Sequence, residues 1–484
     1  MRFKYFLLVL LLSFKTIAIA LPVIIEGKSA AYDNYVFRVY LEKDPISGVE
    51  YLADQQRPDA SGHFSLGFEL HNIQRIRIEV GLQSISFYAI PGKSYSLNFN
   101  EITINDQNVF LPQKPLSITF AKQDMLNIVL DGFDYEYQQF LEQNFMILIK
   151  YHDRELFNNF KSEMFAKLKD SPISDSYSYT YIKDYIDYTL AELSFTAKLK
   201  NHDSLGINYF TNKDILFNNP AYISFFKKYF SKYFIKTNGG KEYYEIRNLI
   251  NEGPLTFKIM DKLGKDPILL KEKLREIVLL NSLKQIFYNH DFNITKINDL
   301  FSEISTKSKF KNNCIVAENL LHSLNRFIKG NSVPDFNLLN IENQTKDISS
   351  YKGKKTFLMF VSPSCETCEA DIRILKAKHA DIKGDINLVT IYAGYNKHDA
   401  EKWAQKQDAA WDFLWFENNF ELLNDYKIKT FPKYIILDEN SLLFNYFPPK
   451  PRENLFSYLE ALKKQTDEKN NPSQEGKIDI FRKN

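Results

Sequence analysis

The chain predicts a multidomain protein with three fold classes in series: an N-terminal β-sandwich over 21–120, an all-α middle domain over 121–330 and a C-terminal α/β domain over 331–464. Three observations carry this. At 484 residues the chain is too long for one hydrophobic core and suits about three domains of roughly 100–200 residues each. Its apolar spacing changes twice, from short alternating runs to helical spacing near residue 120, and then to short continuous apolar runs separated by helical pattern near residue 332. A composition of 44% hydrophobic and 25% charged residues is that of a packed globular chain and excludes a mostly disordered one. Lys and Arg number 62 against 60 Asp and Glu, so the chain lacks the basic field on which a nucleic-acid binder relies. Three cysteines are too few for a disulfide-built scaffold.

Residues 1–20 read as a secretory signal peptide. Arg2 and Lys4 precede an apolar run from Phe6 to Phe14 broken only by Ser13, and Ala18-Ile19-Ala20 is a small-x-small cleavage signal. Lys15 and Thr16 stop the run well short of the ~20 residues a membrane span needs. No cysteine follows Ala20 to take a lipid, and no later segment is long and apolar enough to cross a bilayer. The mature chain is therefore expected to be soluble in the periplasm, without a transmembrane segment. In such an oxidising compartment two nearby cysteines mean disulfide chemistry more often than metal.

From Leu21 to Ile118, short alternating runs such as Val36–Leu41, His63–Phe68, Ile76–Val80, Ser86–Ile90 and Tyr95–Phe99 read as strands. Turns at Asp59-Ala60-Ser61-Gly62 and Pro91-Gly92-Lys93 separate them. Those two turns, with Phe64 after the first and Phe87-Tyr88 before the second, resemble the N-terminal β-domain of Bacteroidetes thioredoxin-like proteins.

From Gln123 to Gly330 the period is helical. Ile182, Ile186, Leu190 and Leu193 fall on one face, and Leu270, Leu274, Ile277 and Leu280 on another. Breaks at Ser171-Pro172, Asn219-Pro220, Gly239-Gly240, Gly253-Pro254 and Asp266-Pro267 suggest eight or so antiparallel helices. Tyr177, Tyr179, Tyr181, Tyr185 and Tyr188 could line a ligand groove, but amphipathic packing accounts for them more simply. No metal-ligand spacing occurs, and no cofactor is implied. Cys314, inside the helical stretch Lys311–Ile328, reads as a free buried thiol.

In the α/β part, Thr356–Val361 and Ile386–Tyr392 read as buried strands, and Asp371–Ala380 and Ala400–Gln407 as helices. Tyr434–Leu437 and Leu442–Tyr446 form a hairpin, Asn454–Lys464 closes the domain, and 465–484 reads as a disordered tail. Cys365-Glu366-Thr367-Cys368 sits between the first strand and a helix start. There, free backbone N–H groups and the helix dipole stabilise a thiolate on Cys365, and Cys368 lies one turn on. The motif implies an exposed nucleophilic thiol, Cys365, and a resolving one, Cys368. An inert structural disulfide and half of a zinc site remain the alternatives, and a zinc site would need two further ligands.

The segment 332–464 resembles a thioredoxin-fold domain of the TlpA/ResA type. Val333-Pro334-Asp335-Phe336, Ser350-Tyr351-Lys352-Gly353-Lys354, the C-x-x-C, Lys429-Thr430-Phe431-Pro432 and Ile435-Ile436-Leu437-Asp438 fall in that family's order. With the β-domain similarity, the whole resembles a Bacteroidetes TlpA-family protein. The resemblance implies a thiol–disulfide oxidoreductase with a redox-active Cys365–Cys368 disulfide. It implies Glu366 and Asp371 as redox-tuning residues and a cis-Pro432 that presents Phe431 to an extended client. It further implies disulfide-containing envelope proteins as clients and a membrane thiol as electron donor. Met359 stands where thioredoxin proper has a buried carboxylate, which favours the ResA-type arrangement. Ser364 and Thr367 depart from the family's usual Trp and Pro, and Phe431 replaces its usual small or β-branched residue. Two other readings stand beside this one. The first two domains could form an envelope binding or scaffold module with an accessory redox domain. Alternatively, Ser362 at the peroxidase Thr offset could mark an AhpC-type peroxidase.

Overall fold

The structure is a computed structural model that describes residues 20–29, 35–81, 83–99, 114–116, 118–236, 241–253, 256–289, 291–363, 365–394, 397–417, 419–428 and 430–470. The expected signal peptide lies, but for Ala20, outside the described residues, as does the tail beyond Asn470.

The first domain is built from two sheets. One orders His63–Leu70, Leu21–Lys28, Ser94–Phe99 and Ile118–Phe120. The other orders Val49–Gln56, Phe37–Asp44, Gln74–Val80, Gln83–Ala89 and Lys114–Pro115. Alternate residues of both, among them Val23, Ile25, Leu66 and Leu97 against Val39, Ile76 and Ile78, share one core, which makes a sandwich. Gly27 is required there, because a Cβ would sit 2.5 Å from the Phe64 ring. Gly62 (φ +80°) closes the Asp59 turn, whose carboxylate accepts from the Ser61 and His63 N–H groups. Four strands of this domain escaped the sequence reading: Leu21–Lys28, Val49–Gln56, Lys114–Pro115 and Ile118–Phe120, the last two only two and three residues long. Leu21–Lys28 is interrupted by Pro22 and Gly27, and Val49–Gln56 lacks clean alternation.

The middle domain holds eleven α-helices among the described residues, more than the eight or so expected. The sequence reading marked breaks at Pro and Gly, but helices also restart at Asp153, Asn201 and Asn293, whose side chains cap the next N-terminus without either. Leu270 precedes the helix Glu272–Ile286 and is 59% exposed, so it leaves the expected apolar face, while Leu274, Ile277 and Leu280 are buried. The tyrosine hydroxyls bond within the protein: Tyr181 OH donates to Asn218 O, Tyr185 OH to Asp134 and Tyr188 OH to Tyr209 O, while Tyr177 OH accepts from the Ile73 N–H of the first domain. Cys314 is half-buried rather than buried, with Sγ 3.3 Å from Ser308 O.

The C-terminal sheet has seven strands, with Lys355–Val361 between Ile386–Tyr392, parallel to it, and Lys433–Leu437, antiparallel. Asp412–Trp415 extends the parallel side, and Leu443–Asn445 pairs beyond Lys433–Leu437. The central strand is buried on both faces: Leu358 and Phe360 enter one core, and Phe357, Met359 and Val361 the other. This is a thioredoxin fold. The closing helix runs Leu455–Asn470, six residues past the expected Lys464, because nothing in Gln465–Asn470 breaks a helix ahead of Pro472. No described helix is long and apolar enough to cross a membrane.

Candidate functional site

The strand Lys355–Val361 leads to Cys365 at the start of the helix Glu366–Ile382, where parallel sheets place their functional groups. Cys365 is that helix's N-cap. Its Sγ accepts from the Cys368 N–H at 3.1 Å, and its carbonyl accepts from the Glu369 N–H at 3.1 Å. A sulfur therefore stands where a Ser or Asp oxygen usually caps, and the same N–H and the helix dipole favour negative charge on it once the disulfide opens. Cys365 and Cys368 form a disulfide with Cα atoms 5.2 Å apart, and Thr367 Oγ1 lies 3.4 Å from Cys365 Sγ. The expectation that Cys365 is exposed needs correction: it is 4% exposed and Cys368 0%. In the closed disulfide the sulfur is turned into the cluster of Met359, Val361 and Ile372, against which Phe431 packs. Cys365 is still the more accessible of the two.

Glu366 is exposed in the first helical turn. Asp371 is fully buried and lies three residues after Cys368, on the same helix face. Its Oδ2 accepts from the Tyr434 hydroxyl and from Arg452 Nη2 at 2.7 Å. Its Oδ1 has no hydrogen-bond partner among the described residues. Burial first, and then the Asp371 carboxylate, push the Tyr434 phenol well above the usual tyrosine range. The Phe431–Pro432 peptide is cis, and Lys433–Leu437 follows it directly. Ser364 and Lys429 lie outside the described residues. Ser362 is buried. Among the described residues no group of three or more His, Cys, Asp or Glu side chains could hold a metal ion.

Residues 329–454 match the model of the AhpC/TSA family. That segment is a thioredoxin-like AhpC/TSA domain. Two curated relatives, the thiol-disulfide oxidoreductases ResA of Geobacillus thermodenitrificans and Geobacillus kaustophilus, are each 23% identical over 136 residues. Each alignment spans 28% of this chain and 78% of the relative. A solved structure, the thioredoxin domain of a thiol-disulfide oxidoreductase from Bacteroides vulgatus, aligns with a TM-score of 0.26 at 17% identity, over 28% of this chain and 97% of that one. A thiol:disulfide interchange protein from Bacteroides sp. aligns with a TM-score of 0.27 at 15% identity, over 32% and 99%. Each of these leaves about two thirds of the chain or more unmatched. Within the AhpC/TSA domain, sequence reasoning missed Tyr434 and Arg452. They stand 63 and 81 residues from Asp371, and no local pattern ties them to it.

Proposed function

We propose that the chain is an exported thiol–disulfide oxidoreductase of the ResA/TlpA type that reduces or isomerises disulfides of envelope proteins in the periplasm. The observation that carries the reading is the Cys365–Cys368 disulfide, closed across the first turn of a helix with Cys365 Sγ on a backbone N–H. The names of the curated relatives support it.

The Cys365 thiolate attacks a client disulfide, forming a Cys365–client bond and releasing one client thiolate. Cys368 loses its proton and attacks Cys365 Sγ, so that the internal disulfide closes and the second client sulfur leaves and takes a proton. Two electrons pass from the dithiol to the client, and a membrane thiol donor restores them. Phe431 and Pro432 offer backbone to an extended client strand, and Glu366 and Asp371 tune the pair. The β-sandwich and helical domain set location or client choice. A cleft of about 1250 Å³ where the three domains meet, lined by Tyr40, Arg77, Asn319, Arg326, Pro334 and Lys427, favours a binding role for them as a second reading.

The test is reduction of insulin by the full chain with a dithiol donor, run beside a peroxide-consumption assay. Insulin reduction that Cys365→Ser abolishes, with peroxide consumption at background, is the expected result. Peroxide consumption without insulin reduction would make the domain a peroxidase.

A further inference from the structure

Lys433 follows the cis Phe431–Pro432 peptide directly and pairs with Phe360, one residue short of the end of the strand that leads to Cys365. It therefore stands at the sheet end that carries the disulfide. The neighbouring strand Leu443–Asn445 runs antiparallel, with Asn445 opposite Ile436, so Tyr446 and Phe447 continue toward the same end. There the Lys433 ammonium donates to the Tyr446 carbonyl at 2.8 Å and lies 3.7 Å from the centroid of the Tyr446 ring and 4.4 Å from that of Phe447. An ammonium has three N–H donors, and one hydrogen bond with two ring faces leaves it short of the anion that normally accompanies a desolvated charge. Among the described residues no carboxylate pairs with it, and burial lowers its pKa to about 8 with no neighbouring acid raising it back.

Both rings are fixed in place. Tyr446 is buried and stacks on Phe327. Phe447 is 70% exposed, yet its N–H donates to Asn445 Oδ1 at 2.9 Å, and Pro448 and Pro451 behind it are buried. The chain on either side is basic. Between Tyr426 and Asp438 it holds Lys427, Lys429 and Lys433 and no acid, and between Phe447 and Glu453 it holds Lys450 and Arg452 and no acid. Lys450 and Arg452 are answered by Glu453 and Asp371, which leaves Lys433 as a cation beside the cis peptide with no acid answering it.

We propose that Lys433 determines client specificity by taking an Asp or Glu side chain of an extended client, about two residues from the client cysteine, with Phe447 as the wall that shields the pair. This rests on the disulfide-exchange reading. Phe431 packs against the cluster that holds Cys365, and Lys433 lies two residues on, roughly 6 Å away. A client strand laid beside the cis peptide keeps that spacing, so a cysteine facing Cys365 places its second neighbour at Lys433. The carboxylate supplies the missing anion, and the Phe447 ring keeps water from it, which strengthens a hydrogen bond between charged groups. A client Lys or Arg at the same position meets like charge and is rejected.

The experiment uses the reduced full chain in excess over short synthetic peptides. Each peptide carries one cysteine as a mixed disulfide with uncharged 2-mercaptoethanol, and a Glu, Gln or Lys two residues from it. Two electrons from the Cys365–Cys368 dithiol reduce each mixed disulfide to one peptide thiol and one 2-mercaptoethanol, followed by chromatography at rising protein concentration. The Glu peptide is expected to be reduced about tenfold more efficiently than the Gln peptide at neutral pH and low salt, through tighter binding rather than a higher maximal rate. The Lys peptide is expected to be the poorest, and added salt to narrow the spread. Lys433→Met is expected to remove the preference for Glu, and Lys433→Arg to keep part of it. Phe447→Ala, a change at an exposed position that guards against misfolding of the Lys433 variants, is expected to weaken the preference. Reduction of all three peptides with equal efficiency would overturn the proposal and leave the exchange reading standing. So would a preference for Glu that survives Lys433→Met. Reduction of none of them by the parent would sink the exchange reading itself, and the assignment of Lys433 with it.

Discussion

Lys433, at the start of a strand, and Asp371, on the helix Glu366–Ile382, meet burial in opposite ways. Asp371 is matched by a cation, whereas among the described residues the Lys433 ammonium meets the Tyr446 carbonyl at 2.8 Å and the faces of the Tyr446 and Phe447 rings. Burial lowers the Lys433 pKa from 10.5 to about 8. Between those values the unfolded chain binds more protons than the folded one, so stability contributed by this site rises with pH through that window. Denaturation of the parent and of Lys433→Met across the window should show their difference moving in the parent's favour as pH rises. Parallel curves would contradict the assignment. At this scale the sequence was legible where chemistry is contiguous. Cys365 and Cys368 name each other by spacing and by the strand and helix around them. Arg452 and Tyr434 did not, because a contact made across 81 or 63 residues leaves no local periodicity.

The turn between Phe37–Asp44 and Val49–Gln56 shows how one element joins two domains. Asp44 Oδ1 accepts from the Ile46 and Ser47 N–H groups, and Asn319 Nδ2 donates to Asp44 Oδ2 at 2.8 Å. Lys284 Nζ donates to the Ile46 carbonyl at 2.6 Å. Ile46 is thereby set, fully buried, into the core formed by Ile277, Leu280 and Val316 of the helical domain. Ile46→Ala should cost about 2–4 kcal/mol, read as a lower urea midpoint of the helical signal. An unchanged midpoint would mean that the turn merely rests on the helices. Strands with strict alternation, such as His63–Leu70, and helices bounded by Asn219-Pro220 or Asp266-Pro267 were legible in the sequence. Short or edge elements were not. Asp412–Trp415 is four residues long and takes its place from its neighbours rather than from its own pattern.

Across the whole molecule the three fold classes were visible as changes of period, and the junctions were less so. The sequence puts the last boundary at Gly330, but Phe327 stacks on Tyr446 at 3.9 Å, and the Gly330 N–H and Asn331 carbonyl bond to Leu443. The connector thus continues the last sheet edge, and Arg326 pairs with Asp425 across the same seam. The match to the AhpC/TSA family begins at residue 329, inside this connector. The β-sandwich and helical domain could be read as folds because burial leaves a period. Their task could not be read, because a cleft assembled from three distant segments leaves none.

Electron transfer from the full chain through Cys365 to a client, with closure on Cys368, is tested most directly by trapping in cells, with Cys368→Ser and Cys365→Ser compared on non-reducing gels and again after reduction. Cys368→Ser is expected to accumulate mixed disulfides with envelope proteins, and Cys365→Ser to trap few. Equal trapping would reverse or erase the two roles, and no trapping by either would leave the disulfide inert.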